Sequence, residues 1–156
     1  MTLKPNQLLK IEETLKDFVC LTSRYLEVRN NEELLDMFLN RNRNPLFDLT
    51  GTNYWNTGLS SNDAKNKKGK IVKDHYVPRK IAMGYIMNVL VDNPNMSVDE
   101  FTLLCKKYAS TINLTKDEHT RVTSAAKNSG RCNYEFYESC GVIIEGIEGL
   151  ISKLSD

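Results

Sequence analysis

The chain has 156 residues, 40% of them hydrophobic and 26% charged, with a net charge of +1. That length suits one domain able to bury a core without disulfides or a structural metal, and the composition is that of a soluble globular protein. No apolar stretch reaches the length of a membrane span and Met1 to Asn6 lacks the apolar core of a secretory signal, so a cytoplasmic protein without a membrane partner is expected.

Taken in order, Leu8, Ile11, Leu15, Phe18, Val19 and Leu26 recur at helical spacing and predict an amphipathic helix over about 6–28. Asn30 or Asn31 can cap a second helix whose stripe is Leu34, Leu35, Phe38 and Leu39, so a helical hairpin over 1–42 opens the fold. Residues 40–68 are rich in Asn, Gly, Ser, Thr and Lys and predict irregular backbone, with Tyr54 and Trp55 either pinning it to the core or stacking on unpaired bases. Lys70 to Tyr76 reads as a short strand, and Pro78 suits the first position of a helix that Asn93-Pro94 stops.

Ser97 to Glu100 has the form of a capping box ahead of Phe101, Leu104, Cys105 and Tyr108. Ser110 to Leu114 reads as a second strand, and Thr115 to Glu118 as another capping box that places His119 just inside the helix it opens. Asn133 to Cys140 reads as one helix and Val142 to Leu154 as another. Cys20, Cys105, Cys132 and Cys140 form no Cys-x-x-Cys knuckle, and free, mostly buried thiols are expected.

The chemistry concentrates around the two histidines, each of which follows an acid: Asp74-His75 at a strand end and Glu118-His119 at a helix start. Between Lys65 and Lys80 seven cations stand against Asp74 alone, a local balance of +6 in a chain of net charge +1. Such segregation suits a polyanion, and Lys67, Lys68, Arg79 and Lys80, with Arg121, are the expected phosphate contacts. Phosphodiester hydrolysis needs an activated water, a cation against the charge that builds on the phosphoryl oxygens, and help for the leaving group. A histidine can activate the water, while a carboxylate and a second imidazole can hold a divalent ion; Asp74, His75 and His119 are those residue types.

Asp74-His75-Tyr76-Val77-Pro78 resembles the Asp-His-x-(Ile/Val)-Pro element of the HNH, or ββα-metal, nucleases, and Thr115 to Arg121 is similar to the helix start that carries that family's last metal ligand. The resemblance implies an α+β, helix-rich fold, with a β-hairpin and helix clasping Mg²⁺ or Mn²⁺. It implies His75 as general base and Asp74 and His119 as metal ligands; the family's central Asn has no direct counterpart, the substitutes on offer being Ser110, nine residues before His119, and Asn113. In that reading the nuclease core spans 65–130 with a helical insertion over 79–109, and helices over 133–156 complete a single domain. DNA is the expected substrate and partner, a homodimer would supply two active sites for cutting both strands, and small proteins of this kind are often encoded by phages. The alternative is a non-catalytic helical protein that binds nucleic acid or a protein partner, including an inactive nuclease descendant.

Overall fold

A computed structural model describes residues 3–46 and 55–156, and within them the chain is an α+β, helix-rich fold. The elements are α1 (Pro5–Val28), α2 (Glu32–Asn42), β1 (Asn56–Ser60), α3 (Asn62–Lys65), β2 (Ile71–His75), α4 (Arg79–Asp92), α5 (Val98–Tyr108), β3 (Thr111–Thr115), α6 (Lys116–Ala126) and α7 (Ile147–Ser155). Two short 3₁₀ turns, Asn133–Phe136 and Glu138–Cys140, precede α7. The chain divides into two compact units, one of residues 1–54 with 79–108 and one of residues 55–78 with 109–156.

The first unit is helical. Asn31 caps α2, its side-chain oxygen accepting from the Leu34 amide at 3.1 Å. Ser97 and Glu100 form the expected capping box ahead of α5, with the Ser97 amide donating to the Glu100 carboxylate at 2.8 Å and the Glu100 amide to the Ser97 hydroxyl at 3.2 Å. The helical pair that interrupts β2 and β3 in sequence, α4 and α5, packs with the N-terminal hairpin. Phe18 and Phe101 meet edge to face at 6.0 Å, and Met83, Ile86, Met87 and Leu90 are wholly buried. A polar tie joins this core where the Tyr25 hydroxyl donates to Asn88 Oδ1 at 2.8 Å.

The second unit is a three-stranded sheet in the order β1-β3-β2, with β2 antiparallel and β1 parallel to β3. β2 and β3 with the following α6 make the expected hairpin-then-helix order. Ile112 and Leu114 from β3, Val122 from α6, and Tyr76 and Val77 beyond β2 are among its fully buried side chains. The antiparallel register pairs Val72 with Leu114, Asp74 with Ile112 and His75 with Thr111. Because side chains alternate along a strand, Val72 and Asp74 share the face of Ile112 and Leu114, while Lys73 and His75 share the face of Thr111 and Asn113.

Three expectations change here. Within 40–68 the chain forms β1 and α3 rather than wholly irregular backbone. β1 has no apolar alternation to announce it, because an edge strand of sequence Asn-Thr-Gly-Leu-Ser is held by its pairing to β3, with an irregular register between Asn56 and Ser60. The segment expected as a helix over 133–140 is a pair of 3₁₀ turns ended by Gly141 in the left-handed region (φ 71°). The last helix begins at Ile147, not Val142, after Gly146 at φ 84°. Trp55 is 2% exposed and serves as a core anchor, since a ring so buried offers no face to a base; Tyr54 lies outside the described residues.

Candidate functional site

The site assembles on the apolar face of the β2–β3 pair. Thr115 caps α6, its hydroxyl accepting from the Glu118 amide at 3.3 Å, while the Glu118 carboxylate accepts from the Thr115 amide at 2.8 Å and hydroxyl at 2.9 Å. Glu118 is 2% exposed and also accepts from the Ser61 hydroxyl at 2.6 Å, and Ser61 in turn caps α3 through the Ala64 amide. One buried carboxylate thereby ties the starts of two helices together. The next residue on α6 is His119, fixed in direction by that cap.

His119 Nε2 stands 3.4 Å from Asp74 Oδ1. The imidazole is partly exposed, whereas Asp74 is 1% exposed and would be an isolated buried charge without its donors. The Tyr137 hydroxyl donates to Asp74 Oδ2 at 2.5 Å, and Asn133 Nδ2 donates to Asp74 Oδ1 at 3.2 Å. The same Asn133 nitrogen donates to the main-chain carbonyl of His75 at 2.9 Å, and the Tyr134 amide donates to that of Tyr76 at 3.2 Å. The 3₁₀ segment is therefore laced along the end of β2.

Burial pushes the Asp74 carboxyl up to about 7, against the opposing pull of the Tyr137 and Asn133 hydrogen bonds. Burial also lowers His119, and it raises Tyr137 well above the usual phenol range, helped by the neighbouring Asp74 charge. The two groups face each other at a distance longer than an ordinary hydrogen bond. Burial lifts the Cys132 thiol to about 11, so it is no nucleophile at neutral pH; all four cysteines are free, Cys105 and Cys132 buried, Cys20 exposed and Cys140 half-buried.

An oxygen and a nitrogen donor 3.4 Å apart suit one divalent ion with bonds of about 2.1 Å to each. Asp74 Oδ1 and His119 Nε2 are the two donors that could hold such an ion. Among the described residues no third His, Cys, Asp or Glu joins them. His75 is the last residue of β2, and the alternation of the strand sets its side chain on the opposite face from Asp74. The structure brings Asp74 and His119 together and leaves His75 beside them through its backbone.

The other expected residues are distributed. Ser110 is buried immediately before β3. Asn113 lies opposite Lys73, where it accepts from Asn56 at 2.9 Å and donates to Ser60 at 3.2 Å, which holds β1 to β3. Lys68 pairs with Asp63 at 2.9 Å and Lys65 with Glu145 at 2.8 Å, so part of the cationic run is neutralised within its own unit. Arg79 and Lys80 belong to the first unit; Lys80 pairs with Asp36, and Arg79 is half-buried near Arg43, with burial the larger cause of its lowered pKa. Lys67 and Arg121 are exposed. Asn133 and Tyr137 join the site without a motif to announce them; an Asn and a Tyr in a polar, Gly-bounded stretch are the available signal, and a buried Asp74 needing donors supplies the reason.

No family model, curated protein or solved structure matches the chain. Among the described residues no helix is long and apolar enough to cross a membrane.

Proposed function

We propose that this chain is a divalent-metal-dependent endonuclease of the HNH kind, hydrolysing phosphodiester bonds in DNA. The observation that carries the reading is the approach of Asp74 Oδ1 to His119 Nε2 at 3.4 Å, from a strand end and a helix start that a pair of helices separates in sequence. Asp74 and His119 would hold Mg²⁺ or Mn²⁺, which when bound supplies charge stabilisation at the phosphoryl oxygens and acidifies a coordinated water. His75 is set on the face opposite Asp74 by the strand's alternation, so in this reading it would serve as base only by turning toward the ion where the ladder ends and the chain leaves toward Pro78. Lys67 and Arg121 are its exposed phosphate contacts in the second unit.

The test is incubation of plasmid, linear and single-stranded DNA, and of RNA, with Mg²⁺, Mn²⁺ or EDTA, beside the His75→Ala variant. Metal-dependent cutting of DNA by the wild type, reduced at least about a hundredfold in His75→Ala, is the expected result. No metal-dependent cleavage of any substrate would sink the enzyme. Undiminished cleavage in His75→Ala would leave the class and remove His75 as base.

A second reading, a non-catalytic nucleic-acid-binding descendant of such an enzyme, is favoured by one observation: both Asp74 oxygens already accept hydrogen bonds and no third protein donor joins the pair among the described residues. It expects DNA binding that EDTA does not change and no cutting.

A further inference from the structure

We infer that Asn133 and Tyr137 form a two-donor clamp that positions the Asp74 carboxylate toward His119, making the 3₁₀ segment beyond α6 part of the working site. The inference rests on the reading of Asp74 and His119 as the pair that holds the ion.

The geometry gives each donor a distinct task. Asp74 is 1% exposed on the face it shares with Ile112 and Leu114, where a carboxylate depends on protein donors. Tyr137, 4% exposed, donates its hydroxyl to Oδ2, the oxygen not paired with His119. Oδ1, the oxygen that stands 3.4 Å from His119 Nε2, takes the longer bond, 3.2 Å, from Asn133 and has acceptor capacity for a second partner. The carboxylate is held so that one oxygen is presented and the other is secured.

Asn133 does more than support Asp74. It is 6% exposed, and its single Nδ2 group spends one hydrogen on the Asp74 carboxylate and the other on the His75 carbonyl. Two consecutive residues of β2 are thereby fixed by one side chain from a separate segment. Donors of this kind, one step removed from an ion, orient the ligating carboxylate, and their loss typically costs about ten- to a hundredfold in metal affinity. Both residues act through Asp74 and are positioning residues, not catalytic ones.

The probe is Mn²⁺, titrated calorimetrically into the full chain and into Tyr137→Phe and Asn133→Ala, with single-turnover DNA cleavage measured beside it. Tyr137→Phe keeps the ring and its packing, and it supplies the answer should Asn133→Ala fail to fold. The clamp predicts Mn²⁺ affinity at least about tenfold weaker in each folded variant, a comparable fall in the cleavage rate constant, and an unchanged KM for DNA. Wild-type affinity, within about twofold, in Tyr137→Phe would overturn it even if both proteins cut DNA. Should the wild type bind Mn²⁺ and cut nothing, the nuclease reading fails while weakened binding in the variants still supports the clamp. Should the wild type bind no Mn²⁺, the clamp has nothing to position and falls with it.

Discussion

Asp74 and His119 face each other across 3.4 Å, carboxylate Oδ1 to imidazole Nε2, and each is placed by a different kind of constraint. His119 is aimed by the Thr115–Glu118 cap at the start of α6, and Asp74 by the Tyr137 and Asn133 donors that enclose it. The pair combines a deeply buried carboxylate with a partly exposed imidazole, so its inner half is held and its outer half is accessible.

The burial of Asp74 makes stability depend on pH. Its pKa rises from an ordinary aspartate value of 3.8 when unfolded to about 7 when folded, so between those values the folded chain binds the extra proton. The stabilisation is complete below the unfolded value and is lost as pH rises through about 7, by up to about 4 kcal/mol. His119, lowered by burial, acts in the opposite sense, losing stability as pH falls below its unfolded value near 6.5. Urea unfolding in EDTA across about pH 4 to 8 should show a net decline in stability toward the alkaline side, and Asp74→Asn should flatten it.

Glu118 is predicted to matter for folding as much as for the site. Removing its carboxylate leaves the Ser61 hydroxyl and the Thr115 amide and hydroxyl without their acceptor in a buried setting. Glu118→Ala should cost about 2–3 kcal/mol in chemical denaturation, the sum expected of a lost cap and unsatisfied buried donors. Because α6 carries His119, cleavage should fall with it. A loss under about 0.5 kcal/mol would mean that the cap does not anchor the helix.

Within the cationic run, Lys65 and Lys68 are held by protein acids, while Lys67 is exposed. Lys67→Ala should weaken DNA binding and reduce the slope of log affinity against log salt by about 1, the value for one phosphate contact. Lys65→Ala and Lys68→Ala should do less, since Glu145 and Asp63 already neutralise those cations. Fluorescence anisotropy across a salt series separates the two classes, and equal effects at all three positions would show that these pairs open for the phosphates.

Much of this arrangement is legible in the sequence because it is local. A capping box spans four residues, so Thr115 to Glu118 announces the start of α6 and the place of His119. The β-branched and apolar content of β2 and β3 marks both strands. What cannot be read depends on distant partners. β1 exists through its pairing with β3, and the charge of Lys65 is cancelled by Glu145 and that of Lys80 by Asp36. The roles of Asn133 and Tyr137 follow from the burial of Asp74, a three-dimensional fact that no spacing in 133–140 encodes.

The most direct test of the central claim is a double-mutant cycle on the Asp74–His119 pair, read as the single-turnover rate of DNA cleavage in Mn²⁺ for the wild type, Asp74→Ala, His119→Ala and the double variant. If the two side chains hold one ion, either single substitution removes it. Each should then cost about a thousandfold or more, and the double variant should be no slower than the worse of the two. Losses that multiply in the double variant, or a wild type whose rate is the same in Mn²⁺ and in EDTA, would contradict a shared ion between Asp74 and His119.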